Sequence, residues 1–139
     1  WKKNLNINIT LQNQEWKVYL DRQREMDYQI SRAGWTGDYP DPNTFLDMWT
    51  SWSQQNQTGW ADPKYDALIR KAAITKDPNA RLEVFQEAEE ILMDQLPIIP
   101  IYIYTRVYAL HPAVKNWHAN VLDHHPWKHI DLDLSLLKK

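Results

Sequence analysis

Three Asp-Pro pairs, Asp41-Pro42, Asp62-Pro63 and Asp77-Pro78, constrain this chain more than anything else in it. An aspartate just ahead of a helix accepts hydrogen bonds from the first free N–H groups. A proline just inside the helix has no N–H to leave unpaired and a φ already set for helix. The residues after each pair have the matching apolar spacing: Phe45, Leu46 and Trp49; then Tyr65, Leu68, Ile69 and Ala72; then Leu82, Phe85, Ala88, Leu92 and Leu96. Three helices are expected, the last the longest, with those residues facing inward. The device is local and does not make a repeat. A polar stretch rich in Ser, Gln and Asn, residues 51–58, has no apolar period and reads as a loop. Pro97 and Pro100 end the third helix and fix an extended connector.

The remaining segments alternate. Leu5, Ile7, Ile9 and Leu11 have the period of a half-buried strand, preceded by Trp1-Lys2-Lys3, which reads like the tail of a helix. Residues 15–24 form a short helix in this reading, with Trp16, Tyr19 and Leu20 on one face. Residues 27–35 return to strand character, with Tyr28, Ile30 and Arg32 on one side and Gln29, Ser31 and Ala33 on the other. Residues 101–110 are aromatic and β-branched and read as strand. Beyond His111 come short alternating pieces that include Ile130, Leu132 and Leu134. Their apolar face needs a covering segment.

At 139 residues the chain can hold one modest core. A formal charge of −2 and the lack of a basic stripe argue against nucleic acid as a partner. With no cysteine, disulfides and thiolate metal sites are excluded. The longest apolar run, residues 96–103, is too short and too proline-rich to span a bilayer. Eight tryptophans are the compositional outlier; at least half are expected to pack a core, and the others suit a recognition surface.

Chemistry concentrates in residues 31–46, SRAGWTGDYPDPNTFL. Arg32 can pair with a carboxylate and Asp38 can hold an ammonium, while the glycines let a ligand backbone approach. Opposite charges at the two ends of an extended segment suit a zwitterionic peptide. Gly34, Trp35 and Thr36 can offer main-chain donors and acceptors to a peptide added as a strand. The same run also reads as a strand edge followed by a helix-capping turn. In that case Asp38 is a turn residue before Pro40 and Arg32 is bridged to Asp27 or a nearby Glu. Asp38 and Asp41 resemble a glycosidase pair only superficially, because Tyr39-Pro40 between them makes a turn. No nucleophile–base pair is evident, and no catalysis is expected. His125 and His129 have a helical ligand spacing with His124 and Asp131 nearby, but Pro126 interrupts any helix, so neither a metal nor another cofactor is expected.

The same run, together with EWKVYL (15–20), TGWADPKYDAL (58–68) and LPIIPIYIY (96–104), occurs in the order found in a known family. The chain resembles the oligopeptide/dipeptide/nickel class of solute-binding proteins that serve ABC importers, from Trp1 to about Leu132. The resemblance implies an α/β fold, the carboxy-terminal part of a two-lobed, class II periplasmic-binding-protein architecture, since such proteins are several times longer. Residues 1–97 would belong to the second, peptide-binding lobe. Residues 98–139 would be the crossover and return segment of the first.

It also implies roles. Asp38 would meet the α-ammonium, Arg32 the carboxylate of some peptide lengths, and Trp16, Leu20 and Trp35 would line side-chain pockets. Tyr104 would reach the peptide backbone near the hinge. On its own, Trp16 reads as a core residue and Tyr104 as a cross-strand aromatic. Arg24 stands where many members carry histidine, which leaves open the partner for the carboxylate of longer peptides. Implied partners are the first lobe, a peptide, and the permease and ATPase subunits. The implied location is the periplasm, or a lipid-anchored position on the outer face of the cytoplasmic membrane. A carbohydrate-binding module and a structural fragment that binds nothing are the competing readings.

Overall fold

A computed structural model describes residues 1–137. All three Asp-Pro starts open helices. Asp62 Oδ1 accepts from the N–H groups of Lys64 (2.8 Å) and Tyr65 (3.0 Å), and Asp77 Oδ1 accepts from Ala80 N–H (2.8 Å). The first start is shorter: α3, Asn43–Leu46, runs into a 3-10 turn, Asp47–Trp49. The other two helices are α4, Pro63–Ile74, and α5, Pro78–Gln95. Earlier in the chain lie α1, Lys2–Leu5, and α2, Trp16–Arg24. The Glu15 carboxylate caps α2 by accepting from Lys17 N–H (2.9 Å) and Val18 N–H (3.2 Å).

The core lies where α3, α4 and α5 meet. Leu46, Tyr65, Ile69, Ala72, Val84, Phe85, Ala88 and Leu92 are buried together, with Trp49, Trp60, Leu68, Ile91, Met93 and Ile98 packed around them. Tyr65 is fully buried and its hydroxyl donates to Leu46 C=O (2.6 Å), which ties the end of α3 to α4. Burial pushes the Tyr65 phenol well above its ordinary range, and the charges of Asp47, Asp66 and Glu89 add to this. Buried Asp66 is satisfied by Ser51, through its N–H (3.0 Å) and its hydroxyl (2.6 Å). In the polar loop the Asn56 side-chain amide donates to the carbonyls of Trp49, Thr50 and Trp60 and so closes it against the helices.

Several expectations need correction. On α5, Leu82 and Leu96 are more than half exposed and Val84 takes the inward position, because the buried stripe follows 84, 85, 88 and 92. Phe45 is likewise exposed. Of the eight tryptophans only Trp49 and Trp60 pack on the core, fewer than the half expected; Trp1, Trp16, Trp35, Trp52 and Trp127 are exposed. A core made by two long helices and one short one has little room for an indole.

The expected strands at residues 5–11, 27–35 and 101–110 form no ladder. Among the described residues the strand pairing is one antiparallel pair, β1, Val114–Lys115, against β2, Asp131–Leu132, with Val114 opposite Leu132. A strand forms only where another backbone receives its hydrogen bonds, and these three segments find none among the described residues. No described helix is long and apolar enough to cross a membrane.

Candidate functional site

Two small assemblies contain most of the candidate ligand residues. The first gathers around Arg32. Its guanidinium donates to the Tyr104 hydroxyl and lies 5.7 Å from the centre of that ring. The Arg32 carbonyl accepts from the Tyr19 hydroxyl (2.5 Å), and Tyr19 stacks on Trp16 at 5.2 Å. Gln23 donates to Ser31 Oγ (2.8 Å), so α2 holds the 31–32 segment at one side-chain and one backbone point. Gly34 faces Tyr104, whose Cε2 lies 3.8 Å from where a Cβ would stand. Trp16 itself is two-thirds exposed, and Leu20, one turn further along α2, is half-buried. The alternative role for Arg32, an ion pair with Asp27, is not formed; Asp27 pairs with Arg22 at 3.2 Å instead.

The second assembly is an open pocket of about 300 Å³, lined by Trp35, Asp38, Thr44, Asp47, Trp52 and neighbouring residues. Among the described residues, no side chain pairs with the Asp38 carboxylate. Asp47 was not singled out in the sequence. Burial pushes its carboxyl above the ordinary range, the Asp38 charge adds to this, and a hydrogen bond from Asn43 (2.9 Å) opposes it. Two carboxylates beside two indoles make this pocket attractive to a compact cation. The signal for Asp47 was its place in the short helix after Asp41-Pro42, with Asn43 one turn before it. Trp52, beneath the Arg70 guanidinium at 4.1 Å, carried no sequence signal beyond its residue type.

The turn between the assemblies is held from below. Arg81 on α5 makes a two-pronged ion pair with Asp41 (2.6 and 2.9 Å) and lies over the Phe85 ring at 4.5 Å. The guanidinium holds the Asp41 carboxyl below the ordinary range. Asp41 is therefore spent on the turn and does not form a carboxylate pair with Asp38. Thr36 is exposed. Among the described residues, no hydrogen bond uses the main-chain groups of Gly34, Trp35 or Thr36, so that edge is open to a ligand backbone. Arg32 does not line the Asp38 pocket, and the described residues bring the two charges into separate patches. His125 donates to Asp123 (2.8 Å) and stacks on Trp117 at 3.7 Å, while His124 and His129 are exposed.

Comparison with known proteins gives a consistent result. Residues 1–57 match the family model "Bacterial extracellular solute-binding proteins, family 5 Middle". The chain is 42% identical over 110 residues to the oligopeptide-binding protein OppA of Bacillus subtilis, which covers 78% of this chain and 20% of the relative. It is 41% identical over 120 residues to the periplasmic murein peptide-binding protein MppA of Escherichia coli, covering 86% and 22%. Among solved structures, Haemophilus influenzae OppA in complex with the peptide RPPGFSPFR superposes with a TM-score of 0.84 at 33% identity, over 95% of this chain and 26% of that one. The chain thus spans about a fifth of the length of the curated relatives it matches.

Proposed function

Because this chain belongs to the bacterial extracellular solute-binding proteins of family 5, whose α/β, class II fold it shares in part, we propose that the protein containing it captures oligopeptides outside the cytoplasm and delivers them to an ABC permease. Residues 1–97 contribute to the peptide-binding lobe, and residues 98–139 cross to and complete the other. The peptide lies between the lobes and is enclosed by hinge closure. The partners of this reading are the peptide, the other lobe, and the permease with its ATPases. The location is the periplasm, or the outer face of the cytoplasmic membrane by a lipid anchor. The relatives named above are binding proteins, in keeping with a chain that binds without catalysing.

The observation that carries this reading is the Asp38 carboxylate, unpaired among the described residues and set in a pocket beside Trp35 and Trp52. A peptide ammonium placed there gains charge-assisted hydrogen bonds, and lobe closure removes the water that screens them. The open main-chain groups of Gly34, Trp35 and Thr36 bind the peptide backbone irrespective of its sequence. Trp16, Leu20 and Trp35 border side chains. Arg32 meets the carboxylate of peptides whose length brings it near, after leaving its present partner Tyr104, whose hydroxyl then turns to the peptide backbone.

The test is calorimetric titration of tri- to pentapeptides into the two-lobed protein, wild type against Asp38→Asn. Affinity is expected to fall by about two orders of magnitude, as for truncating one partner of an enclosed charge pair. Equal affinity in the two proteins would remove Asp38 from the ammonium role. A receptor that binds no peptide would overturn the reading and favour a sugar ligand.

A further inference from the structure

Thr44 is polar, yet it is 3% exposed. Its Oγ1 accepts the Asp38 main-chain N–H at 3.0 Å, across six residues of turn. Its methyl group and the Phe45 ring close on Gly37 from the other side. A Cβ at Gly37 would lie 3.0 Å from Phe45 Cζ and 3.1 Å from Thr44 Cγ2, so only glycine passes there without displacing them. Thr44 is itself fixed from the core: its N–H donates to Asp41 C=O (3.2 Å), the Asp41 carboxylate accepts Asn43 N–H (2.9 Å), and Arg81 on α5 holds Asp41. A continuous chain of contacts therefore runs from the helical core through Asp41 and Thr44 to the backbone of Asp38.

We infer that Thr44 is a positioning residue for ligand-ammonium capture, holding the Asp38 backbone so that its carboxylate stands in the pocket before the peptide arrives. This deepens the peptide-binding reading and rests on it. Two features of Thr44 are used at once. The hydroxyl oxygen fixes the amide of Asp38, and the methyl group wedges Gly37, the residue before it. Valine keeps the shape and loses the acceptor, which leaves the Asp38 N–H without its partner and frees the turn to rotate. A binding carboxylate must be held to within a fraction of an ångström by its supporting residues, so the loss appears in ligand affinity.

The experiment uses the two-lobed protein and two probes, tetra-alanine and N-acetyl-tetra-alanine, titrated by calorimetry into wild type, Thr44→Val, Thr44→Ser and Asp38→Asn. Thr44→Val is expected to weaken tetra-alanine about fivefold to tenfold, the scale of one hydrogen bond, and to leave the acetylated peptide unchanged. Thr44→Ser, which restores the acceptor, is expected within about twofold of wild type. Thr44→Ala removes the same acceptor without adding an apolar group and must show the same selectivity, so misfolding of the valine variant leaves the test intact. Equal binding of both probes by wild type and variant overturns the inference, as does an equal loss for both probes, which marks a merely structural role. If Asp38→Asn discriminates between the probes and Thr44→Val does not, the inference alone falls. If Asp38→Asn discriminates nothing, the ammonium reading falls and the inference with it.

Discussion

The helical unit and the extended arms of this chain are equally rich in apolar residues but fare differently. Within residues 43–98, Leu46, Tyr65, Ile69, Val84, Phe85 and Leu92 close on one another and leave water almost completely. Along residues 99–110, Ile101 is 74%, Ile103 92% and Val107 94% exposed. A helix makes its backbone hydrogen bonds within itself, so its apolar stripe needs only one more helix nearby in the chain. A strand makes none within itself and needs a neighbour that the chain can supply only from elsewhere. The candidate ligand residues lie at the junction. Asp38 and Thr44 are fixed by the helical unit, whereas Arg32, Gly34 and Tyr104 belong to the arms.

The largest effect that separates the two regions comes from Phe85, at 3% exposure. Phe85→Ala removes the ring that packs the α4–α5 contact and also supports Arg81 at 4.5 Å. A loss of about 3–5 kcal/mol is expected in urea unfolding followed by circular dichroism at 222 nm, the usual range for emptying a buried aromatic site. A loss below about 1 kcal/mol would mean that the helical unit is no better packed than the arms and would erase the contrast.

The same contrast decides what was legible in the sequence. Each Asp-Pro start is local: the aspartate, the proline and the N–H groups it caps lie within four residues, and all three were readable. Helix α2 was readable from Trp16, Tyr19 and Leu20 on one face, whereas its Glu15 cap emerged only in the structure. The strands at 5–11 and 27–35 were inferred from alternation and that at 101–110 from its aromatic and β-branched content, which report which residues want cover and say nothing of what provides it. The inward choice of Val84 over Leu82 was also hidden, because both fit a helical stripe and the packing against α4 selects between them. At the site, the charges of Arg32 and Asp38 stood out as residue types. Their separation into two patches did not, since it depends on Tyr104, more than seventy positions from Arg32, and on Arg81, forty from Asp41.

A middle-sized effect tests the anchor between the regions. Asp41 and Arg81 are each a little under one-third exposed, so Asp41→Asn is expected to cost about 1 kcal/mol at neutral pH, near the upper end for a partly exposed pair. The pH dependence has a definite sign. The folded-state pKa of Asp41 is lowered, chiefly by the Arg81 hydrogen bond, so its contribution is present above the ordinary carboxylate range and is lost as pH falls through the folded value. The difference between wild type and Asp41→Asn in urea midpoint should therefore shrink steadily below about pH 4. A difference that stays constant into strong acid would mean that the cost does not come from the Asp41 charge, and the role of the ion pair would fall.

The smallest effect asks whether the arms are extended because they await a partner. Ile103→Thr keeps β-branching and removes apolar surface at a site 92% exposed, so in this chain it should change unfolding free energy by less than about 0.5 kcal/mol. In the two-lobed protein the proposed crossover places residues 98–139 against the other lobe. A strand paired and covered there would bury Ile103, and the same substitution should then cost more than about 1 kcal/mol, because a hydroxyl replaces an ethyl group in an apolar contact. The comparison between the two backgrounds is the measurement, made by the same urea titration. An effect near zero in both would leave Ile103 in water with or without the remaining chain, and the assignment of this arm to a second lobe would lose its physical basis. An effect confined to the longer protein would show that the aromatic and β-branched run in residues 101–110 is covered by a neighbour in the other lobe.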